Sequence, residues 1–553
     1  MISRPTPGVD AATCDSLVDL LDRAAERFSN APALSVWTDR GRAETWSYLT
    51  LQQRSRNAAV HLRSDLALET GDRLLLWGAP SPALVAVIFG AIRAGVVLVP
   101  LDLRMSVEAI RRIAESSSAS ALAIGDGVAL EAIEGAGLET LPRAGVDALT
   151  QNTETPLRPA AERAAQRGHC FEVIYTSGAT AQPKGAVLTH GAILTWVAQI
   201  NLIIRPRRHQ IVSLLPLAHI FGQLTELFYA LSVGSHVTYV HSRTPRTIFA
   251  AMKATRVTSL VAVPAALDLF WSGLLREVDR RGQRRQFDLL RAVARRLPTQ
   301  ARRTLFHSVH AQLGGSLQLI ISAAAALPPA LHQAWEDLGI TLLEGYGATE
   351  CGMIACETET DHPTGTVGRP IVAGAVTLAP DGEVLVGGPG LFSGYWRDEL
   401  ASREALGDDG LYRTGDYARV DVRGRLVLLG RKKNRIVLPD GMKVYPEDIE
   451  AALRSAGARD AVVAETIPGR LEAALVLPEH QSGIANVADT ATELTRRANR
   501  ALGVHQRLSG ARAWPEPDFP RTHTLKVRRE PVVAWLRAAS GSPEPAAPMV
   551  EPA

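Results

Sequence analysis

The residues Ile174-Tyr-Thr-Ser-Gly-Ala-Thr-Ala-Gln-Pro-Lys-Gly-Ala186 form a segment rich in hydroxyl groups and glycine, with one lysine. The apolar run that ends at Tyr175 predicts a buried strand leading into this segment. Backbone N–H groups, hydroxyls and an ammonium can all bind phosphate oxygens. The segment is not a Walker A motif, because Pro183 replaces its second glycine and no serine or threonine follows Lys184. By itself such a loop is an ordinary surface turn more often than a phosphate site.

Short apolar runs alternate with helical stretches on both sides of this loop. Arg73 to Trp77 reads as a strand, Ala83 to Ala94 as a helix, and Val96 to Pro100 as the next strand. A second unit of the same kind runs from Leu317 to Glu344. This βαβ rhythm predicts the α/β class, with parallel sheets covered by helices. Such folds bind ligands beyond the carboxyl ends of their strands.

The length, composition and net charge of the chain limit the protein classes to which it can belong. At 553 residues it is too long for one ordinary core, so two or more domains are expected. A hydrophobic fraction of 46% is typical of a globular protein. Sixty basic and 57 acidic residues leave a net charge of +3, which gives no argument for a nucleic-acid partner, and we expect none.

The cysteines and the N-terminus indicate a cellular compartment. Cys14, Cys170, Cys351 and Cys356 show no CxxC pairing, so neither a zinc site nor a disulfide framework is predicted. The N-terminus has no apolar signal region, and no run reaches the roughly 18 to 20 apolar residues that span a bilayer. We expect a soluble cytoplasmic protein, with peripheral membrane contact left open.

An arginine-rich segment lies between Arg276 and Arg303, with ten arginines and three acidic residues. The apolar residues Leu289, Leu290 and Val293 predict amphipathic helices in this segment. A solvated helical face is the simpler interpretation. A docking patch for coenzyme A phosphates or anionic lipid is the alternative.

Four further motifs follow the lysine loop in order. They are Glu344-Gly-Tyr-Gly-Ala-Thr-Glu350, Tyr412-Arg-Thr-Gly-Asp416, Gly430-Arg-Lys-Lys433 and Pro520-Arg-Thr-His-Thr-Leu-Lys526. Together with the loop, these motifs resemble those of the adenylate-forming superfamily, which includes acyl-CoA synthetases, firefly luciferase and nonribosomal peptide adenylation domains. Five motifs in family order make coincidence very improbable.

The resemblance implies an ATP site with a role for each residue of the first loop. Thr176, Ser177, Gly178, Thr180 and Lys184 would hold the β- and γ-phosphates. Their hydroxyls and ammonium supply charge-assisted hydrogen bonds to phosphate oxygens.

The second motif is implied to bind the rest of the nucleotide. Tyr346 would stack on adenine beside Gly347, and Thr349 would bond the α-phosphate. Glu350 would ligate Mg²⁺, a hard cation that prefers carboxylate oxygen. Glu350 and Thr349 are therefore expected to act in catalysis.

The last three motifs are implied to bind ribose and to serve catalysis. Asp416 would accept hydrogen bonds from both ribose hydroxyls, and Arg431 would donate to the same sugar. Lys526 would neutralise the charge that develops when a carboxylate attacks the α-phosphate. Lys433 matches the hinge about which the C-terminal domain would rotate. A segment that begins at Gly441 would then line the tunnel for coenzyme A.

Two further segments resemble acyl-CoA synthetases of the long-chain branch. His219, in Leu215-Pro-Leu-Ala-His-Ile-Phe-Gly222, would line and gate the acyl pocket, although a satisfied core histidine is the simpler alternative. Ala323 and Ala324 stand beside this pocket where the family usually has glycines. Their methyl groups should narrow or shift the acyl tunnel.

Four further positions depart from the family pattern. Ala179 replaces a usual hydroxyl residue, and Ala181 replaces a glycine at a backbone site that can require a positive φ. Leu525 replaces the glycine that commonly precedes the catalytic lysine, and Asn434 stands where an acid is frequent. Because Ala179 has no hydroxyl group, one phosphate contact is expected to be lost.

The resemblance also implies a domain plan. Residues 1–14 would form an N-terminal extension, and residues 15–430 a large adenylation domain of parallel α/β sheets with a distorted β-barrel. Residues 431–539 would form a small mobile α+β lid, and residues 540–553 a disordered tail.

The predicted function is an AMP-forming ligase that joins a medium- or long-chain fatty acid to coenzyme A, using ATP and Mg²⁺. Two alternatives remain at this point. One is an acyl-AMP ligase that loads a carrier protein, and the other is a catalytically weak homologue that binds nucleotide or acyl ligands. The sequence leaves the natural acid and the oligomeric state undetermined.

Overall fold

The computed structural model describes residues 8–153, 166–176, 183–439, 442–477, 487–522 and 526–541. In these ranges the strands, in chain order, are β1 (Pro32–Thr38), β2 (Gly41–Ser47), β3 (Arg73–Trp77), β4 (Val97–Leu101), β5 (Ala121–Ile124), β6 (Arg143–Gly145), β7 (Cys170–Thr176), β8 (Lys184–Thr189), β9 (Gln210–Ser213), β10 (His236–Val240), β11 (Ser259–Ala262), β12 (Leu319–Ser322), β13 (Thr341–Ala348), β14 (Gly352–Cys356), β15 (Arg369–Pro370), β16 (Val376–Leu378), β17 (Glu383–Val386), β18 (Tyr412–Val420), β19 (Leu426–Arg431), β20 (Ile436–Val437), β21 (Lys443–Val444), β22 (Asp460–Ile467), β23 (Arg470–Val476) and β24 (Gly510–Ala513).

The α-helices in the same ranges are α1 (Leu17–Phe28), α2 (Tyr48–Ser64), α3 (Pro82–Ala94), α4 (Val107–Ser117), α5 (Leu130–Gly135), α6 (Val146–Leu149), α7 (His190–Ile203), α8 (Ile220–Gly222), α9 (Ala230–Ser232), α10 (Pro245–Thr255), α11 (Pro264–Arg280), α12 (Arg284–Ala294), α13 (Thr299–Leu305), α14 (His307–Gln312), α15 (Pro329–Asp337), α16 (Glu399–Leu406), α17 (Pro446–Ala456), α18 (Val487–Asn499) and α19 (Arg529–Ala539). A π-helix, Gln223–Tyr229, lies between α8 and α9. Short 3₁₀ turns occupy Ala11–Thr13, Lys432–Asn434 and Val504–Gln506.

The chain divides into two compact units. The larger unit comprises Met1–Thr377, Leu385–Thr414 and Gly424–Leu426, and the smaller unit comprises Leu378–Val384, Gly415–Arg423 and Val427–Ala553. The domain bounds drawn from the sequence, at residues 14, 430 and 539, stay a prediction.

A six-stranded sheet of the larger unit has the order β6-β5-β3-β4-β7-β8. Strands β3, β4, β5 and β6 pair in parallel, as do β4 and β7, and β8 closes the edge antiparallel to β7. Helix α3 connects β3 to β4 and is buried along its whole length, which explains its almost entirely apolar sequence. Ser81 caps its N-terminus, and Gly95 ends it with a φ of 66°. This is the βαβ unit that the apolar runs predict.

A nine-stranded sheet, also in the larger unit, has the order β15-β14-β13-β12-β11-β9-β10-β1-β2. Its central strands pair in parallel, while β2 at one edge and β14 and β15 at the other pair antiparallel. Buried residues of α10, α11 and α15 pack with its strands in one apolar cluster that includes Trp271 and Trp335. The predicted unit from Leu317 to Glu344 is β12, α15 and β13.

The smaller unit has its own core. A three-stranded sheet has the order β22-β23-β24, with β22 and β23 antiparallel and β23 and β24 parallel. Helices α17 and α18 pack on this sheet through a buried cluster that includes Leu453, Leu475 and Leu494. A second cluster joins the sheet to α19 through Val532 and Leu536. A separate four-stranded sheet has the order β16-β17-β18-β19, and residues 421–425 connect β18 to β19.

The arginine-rich segment forms α11, α12 and α13. Arg280 pairs with Glu277, and both Arg291 and Arg295 pair with the buried carboxylate of Asp337. The pair with Glu277 is local and exposed, as on a solvated helical face, whereas the pairs with Asp337 attach α12 to α15. The docking patch stays a prediction. None of the helices in the described ranges combines the length and apolar character needed to cross a membrane.

The predicted fold class is confirmed: a mixed α/β architecture with parallel and mixed sheets, a large N-terminal part and a small C-terminal part. Four predicted site residues, three of the departures from the family pattern and most of the predicted tail fall outside the described residues. The site residues are Ser177, Gly178 and Thr180 of the loop and Gly441 of the coenzyme A tunnel. The departures are Ala179, Ala181 and Leu525, and the tail residues are 542–553.

Candidate active site

The lysine of the first motif is fixed at one end of a β-hairpin. Strands β7 and β8 are antiparallel, and their ladder places Thr176 opposite Lys184. The two ends of the predicted phosphate loop are therefore adjacent. An antiparallel ladder holds both positions through main-chain hydrogen bonds, so the lysine leaves the hairpin at a defined place.

A later segment of the larger unit lies along β8 and brings an aromatic ring to this lysine. The backbone N–H of Trp396 donates to the Gly185 carbonyl at 2.7 Å, and Tyr395 forms an isolated antiparallel β-bridge with Ala186. The ammonium of Lys184 lies over the Tyr395 ring, 5.3 Å from its centroid. This is the range of a cation–π contact, so Tyr395 orients the lysine.

The second motif forms the turn between β13 and β14. These strands are antiparallel, and Thr349 and Glu350 lie in the connection between them. Glu350 is buried, and its Oε1 accepts a hydrogen bond of 2.8 Å from the Tyr395 hydroxyl. Tyr395 thus links Lys184 of the first motif to Glu350 of the second.

Phenol groups surround the Glu350 carboxylate. The Tyr412 side chain also interacts with Glu350, and Phe392 packs edge-on against both Tyr395 and Tyr412. Burial, and then the negative charge of Glu350, raise the pKa of Tyr395 and of Tyr412 far above the usual range. Both hydroxyls therefore stay protonated and can donate.

The Glu350 donor set fits Mg²⁺. The Tyr395 hydroxyl holds one oxygen of the Glu350 carboxylate in place. Mg²⁺ sites at nucleotides commonly use one or two carboxylates together with phosphate oxygens. A single oriented carboxylate near a lysine matches that pattern.

The strand before this turn carries the predicted adenine-binding residues. Tyr346 is buried, whereas Gly347 is exposed. A Cβ on Gly347 would lie 2.1 Å from the Gly352 carbonyl oxygen, so the hairpin requires glycine at this position. A Cβ on Gly352 would in turn meet the Trp196 ring at 2.2 Å. The hairpin therefore packs too closely for side chains at these two positions.

The structure pairs His219 with a buried carboxylate. Its Nε2 lies 2.9 Å from Oδ2 of Asp102, which also accepts from Arg104 at 2.7 Å. Burial opposes ionisation of Asp102, but the hydrogen bonds of His219 and Arg104 hold its pKa well below the usual range. The His219 side chain remains 24% exposed, so it is held in place without being sealed in the core. Its acyl-pocket role stays a prediction.

The π-helix that follows His219 is buried and carries polar side chains. Glu226 accepts a hydrogen bond of 2.6 Å from the Ser213 hydroxyl, and Gln223 donates one of 2.6 Å to Glu172. Burial raises the pKa of both Glu226 and Glu172 to about 8. π-Helical turns occur frequently at functional sites.

The predicted acyl-pocket alanines follow β12. Ala324 has a φ of 71°, a left-handed conformation that favours glycine. Nearby, Oε1 of Glu344 accepts from the Leu327 N–H at 3.1 Å, and the Glu344 N–H donates to Glu357 at 2.7 Å. Burial raises the pKa of Glu344 to about 8 and that of Glu357 to about 9. Ala323 and Ala324 as pocket residues stay a prediction.

The smaller unit brings two of its predicted site residues, Asp416 and Arg431, into contact. Arg431 Nε lies 2.7 Å from Oδ1 of Asp416, so the two proposed ribose ligands form an ion pair. Lys433 lies in the 3₁₀ turn directly after β19. Lys526 is exposed, and its N–H donates to the Thr522 hydroxyl at 3.2 Å.

Sequence reasoning did not identify Tyr395. Its contacts to Lys184 and Glu350 join parts of the chain that are far apart in sequence. A local signal was present, because Phe392-Ser-Gly-Tyr-Trp396 has three aromatic residues in five, in a chain that is only 5% aromatic.

Comparison with known proteins agrees with this arrangement. The family model described as "AMP-binding enzyme" matches residues 21–396, which include the lysine loop, the Glu350 turn and Tyr395. The chain belongs to the AMP-binding enzyme family. Among the similar relatives is the long-chain-fatty-acid–CoA ligase FadD15 of Mycobacterium tuberculosis, which is 28% identical over 90% of this chain and 91% of its own length.

Solved structures of known proteins share this fold. The anthranilate CoA ligase AuaEII, in complex with anthranoyl-AMP, has a TM-score of 0.78 at 20% identity and covers 95% of this chain and 98% of its own. The O-succinylbenzoate coenzyme A synthetase of Bacillus subtilis, in complex with ATP and magnesium ion, has a TM-score of 0.73 at 22% identity, with 92% and 98% covered. These likenesses establish the fold.

Proposed function

We propose that this AMP-binding enzyme is an ATP-dependent ligase that joins a medium- or long-chain fatty acid to coenzyme A. The observation that carries the proposal is the contact of Tyr395 with both Lys184 and Glu350. A phosphate-binding cation and a metal-binding carboxylate are thereby held side by side in the family whose reaction needs both.

In the first half-reaction, a carboxylate oxygen of the acid bonds to the α-phosphorus of ATP as the bond to pyrophosphate breaks. Lys184 binds the departing phosphates, and Thr349 bonds the α-phosphate. Glu350 would hold Mg²⁺, which neutralises phosphate charge when bound. Lys526 neutralises the charge between the two reacting anions.

The ribose and adenine are bound by other residues. Tyr346 stacks on the base beside Gly347, while Asp416 and Arg431 bind the ribose hydroxyls. The ion pair of Asp416 with Arg431 supports this assignment, because it fixes the carboxylate in one orientation.

In the second half-reaction, the thiol sulfur of coenzyme A bonds to the acyl carbon as the bond from that carbon to the AMP oxygen breaks. AMP leaves with that oxygen, and the thiol proton is released to solvent. Lys526 has no role in this step, so a rotation about Lys433 would withdraw it and bring the Gly441 segment to the pantetheine arm. The small unit, roughly residues 431–539, would act as the moving lid.

The names of similar relatives favour a fatty acid as substrate. FadD15 of Mycobacterium tuberculosis and the matched ligase of Salmonella typhimurium, 26% identical over 82% of this chain, are both named long-chain-fatty-acid–CoA ligases. The acyl chain would lie along the segment of His219, Ala323 and Ala324. The four free cysteines fit a reducing, cytoplasmic location, and contact with a membrane surface would be peripheral.

The test is a panel of acids of increasing chain length, incubated with ATP, Mg²⁺ and coenzyme A and scored for AMP and thioester. We expect acid-dependent pyrophosphate exchange, with thioester made from medium- or long-chain acids. Lys184→Ala should lose exchange, whereas Lys253→Ala, which removes an exposed lysine on α10, should not.

Two other outcomes would replace the proposal. Acyl-AMP that accumulates with coenzyme A, but is consumed by a carrier protein, would identify a carrier-loading ligase. Absence of exchange with every acid, together with retained ATP binding, would identify a catalytically silent binding protein.

A further inference from the structure

A histidine on α15 is buried with neither ring nitrogen hydrogen-bonded. His332 is 0% exposed, and among the described residues neither Nδ1 nor Nε2 has a partner. The backbone of Leu342 lies close to the ring, yet outside hydrogen-bond geometry. Burying an imidazole with both nitrogens unsatisfied costs free energy, so such a ring calls for a ligand or another explanation.

Two more metal-ligating groups lie beside this ring. Glu336 follows His332 by four residues, which places both side chains on one face of α15. His362 comes from the segment after β14, and its Nδ1 lies 3.1 Å from Oε1 of Glu336. One ligand atom from each of the three residues lies within 4.8 Å of the others.

Two contacts fix one oxygen of the Glu336 carboxylate. Oε1 of Glu336 accepts the Leu342 N–H at 2.8 Å in addition to its contact with His362. Anchoring one oxygen of a ligating carboxylate is a common supporting feature of metal sites.

Glu336 and His362 also line a cavity of about 430 Å³, together with Arg295, Arg302 and Gln333. The cavity leaves room for a water molecule as a further ligand. Its two arginines disfavour a cation, but the carboxylate of Asp337 pairs with Arg295 and offsets part of that charge. Arg302 is occupied by carbonyl oxygens, including that of Glu336.

We propose that His332, Glu336 and His362 bind one divalent transition metal ion of the zinc type, with water as the fourth ligand. Two imidazoles and one carboxylate are a common zinc ligand set. Ligand atoms about 2.0 Å from a tetrahedral zinc lie about 3.3 Å apart. The three ligand side chains must therefore move by about 1 Å to bind the ion. The ion ties α15, which precedes the strand of Tyr346, to the segment after the Glu350 hairpin.

This site is separate from the proposed magnesium site at Glu350, and its test needs no ATP. The protein is stripped with a chelator, and zinc binding is then measured by competition with a chromophoric chelator. We expect one zinc per chain, a rise in the melting temperature with zinc, and visible absorption when Co²⁺ replaces it.

Glu336→Gln and His362→Ala should each weaken zinc binding at least tenfold and abolish the shift in melting temperature. His362 is a partly exposed residue, so its removal leaves the core intact. His307→Ala, which removes an exposed histidine of the same unit, and Glu350→Gln should bind zinc like the parent. The proposal is overturned if the parent binds no stoichiometric zinc, or if the two ligand variants bind it as tightly as the parent.

Discussion

The two carboxylates assigned to the nucleotide are both buried, but their hydrogen-bond partners differ in charge. In the larger unit, Glu350 is buried and held by the neutral hydroxyl of Tyr395. In the smaller unit, Asp416 forms an ion pair of 2.7 Å with Arg431, whose side chain is 50% exposed. A phenol orients a carboxylate without cancelling its charge, whereas a guanidinium cancels it.

This difference indicates separate roles for Glu350 and Asp416. A carboxylate that keeps its charge suits a hard cation, and one already neutralised suits the hydroxyls of a sugar. We therefore expect changes around Glu350 to alter the use of magnesium and ATP. Changes in the smaller unit should instead alter nucleotide binding or one half-reaction alone.

Lys526→Ala should separate the two regions most sharply. Removing a charge that acts only in the transition state of acyl-AMP formation should slow pyrophosphate exchange by about 10²- to 10³-fold. Consumption of supplied acyl-AMP by coenzyme A should change little. Lys253→Ala, with an exposed lysine of the larger unit as the matched control, should leave both half-reactions intact. Equal loss in both half-reactions would contradict the assignment.

Glu350→Gln should slow acyl-AMP formation by roughly 10- to 100-fold, because the amide keeps the shape but loses the charge that holds the metal. The measurement is the exchange rate across a magnesium titration. We expect higher Mg²⁺ to restore part of the rate. A defect that is independent of magnesium would indicate a purely structural role for Glu350.

Tyr395→Phe should have a smaller effect, about fivefold on exchange, because it removes one hydrogen bond of about 1 kcal/mol and keeps the ring under Lys184. Its magnesium requirement should rise. Tyr239→Phe is the control, since the buried hydroxyl of Tyr239 has no hydrogen-bond partner in the described residues. Identical kinetics of the two variants would show that the Tyr395 hydroxyl is dispensable.

Ala324→Gly should stabilise the larger unit by about 1 kcal/mol, because glycine adopts a positive φ without strain. Calorimetric melting checks this shift. The adjacent Ala325 does not have a positive φ, so Ala325→Gly should be neutral or destabilising. Stabilisation by both substitutions would argue against strain at Ala324.

Local patterns predicted much of the fold and part of the candidate site. The βαβ units follow from apolar runs such as Leu74 to Trp77, because parallel strands are buried on both faces. The apolar run that ends at Tyr175 predicted the strand leading into the lysine loop, whereas β8, which begins at Lys184, was not predicted. The partners of these residues could not be predicted, since Tyr395 and Asp102 reach Glu350 and His219 only through the packing of distant segments.

Backbone strain also could not be predicted from the sequence. The alanines after Ser322 were expected to act through their methyl groups on the acyl tunnel. The positive φ of Ala324 adds a conformational free-energy cost in the main chain. A positive φ depends on how β12 connects to the buried Leu327, and this connection is defined only in three dimensions.

The buried carboxyls make unfolding of the larger unit a proton-releasing reaction. Burial raises the pKa of Glu172, Glu226 and Glu344 to about 8 and that of Glu357 to about 9, against an ordinary value of 4.5. At neutral pH the folded chain therefore holds protons that the unfolded chain gives up. Because the pKa values of these carboxyls in the folded state lie above the ordinary value, the free energy of unfolding falls as the pH rises from about 4.5 towards 8. These carboxyls thus favour the folded state most in mild acid, and the heat of unfolding should depend on the ionisation enthalpy of the buffer that takes up the protons.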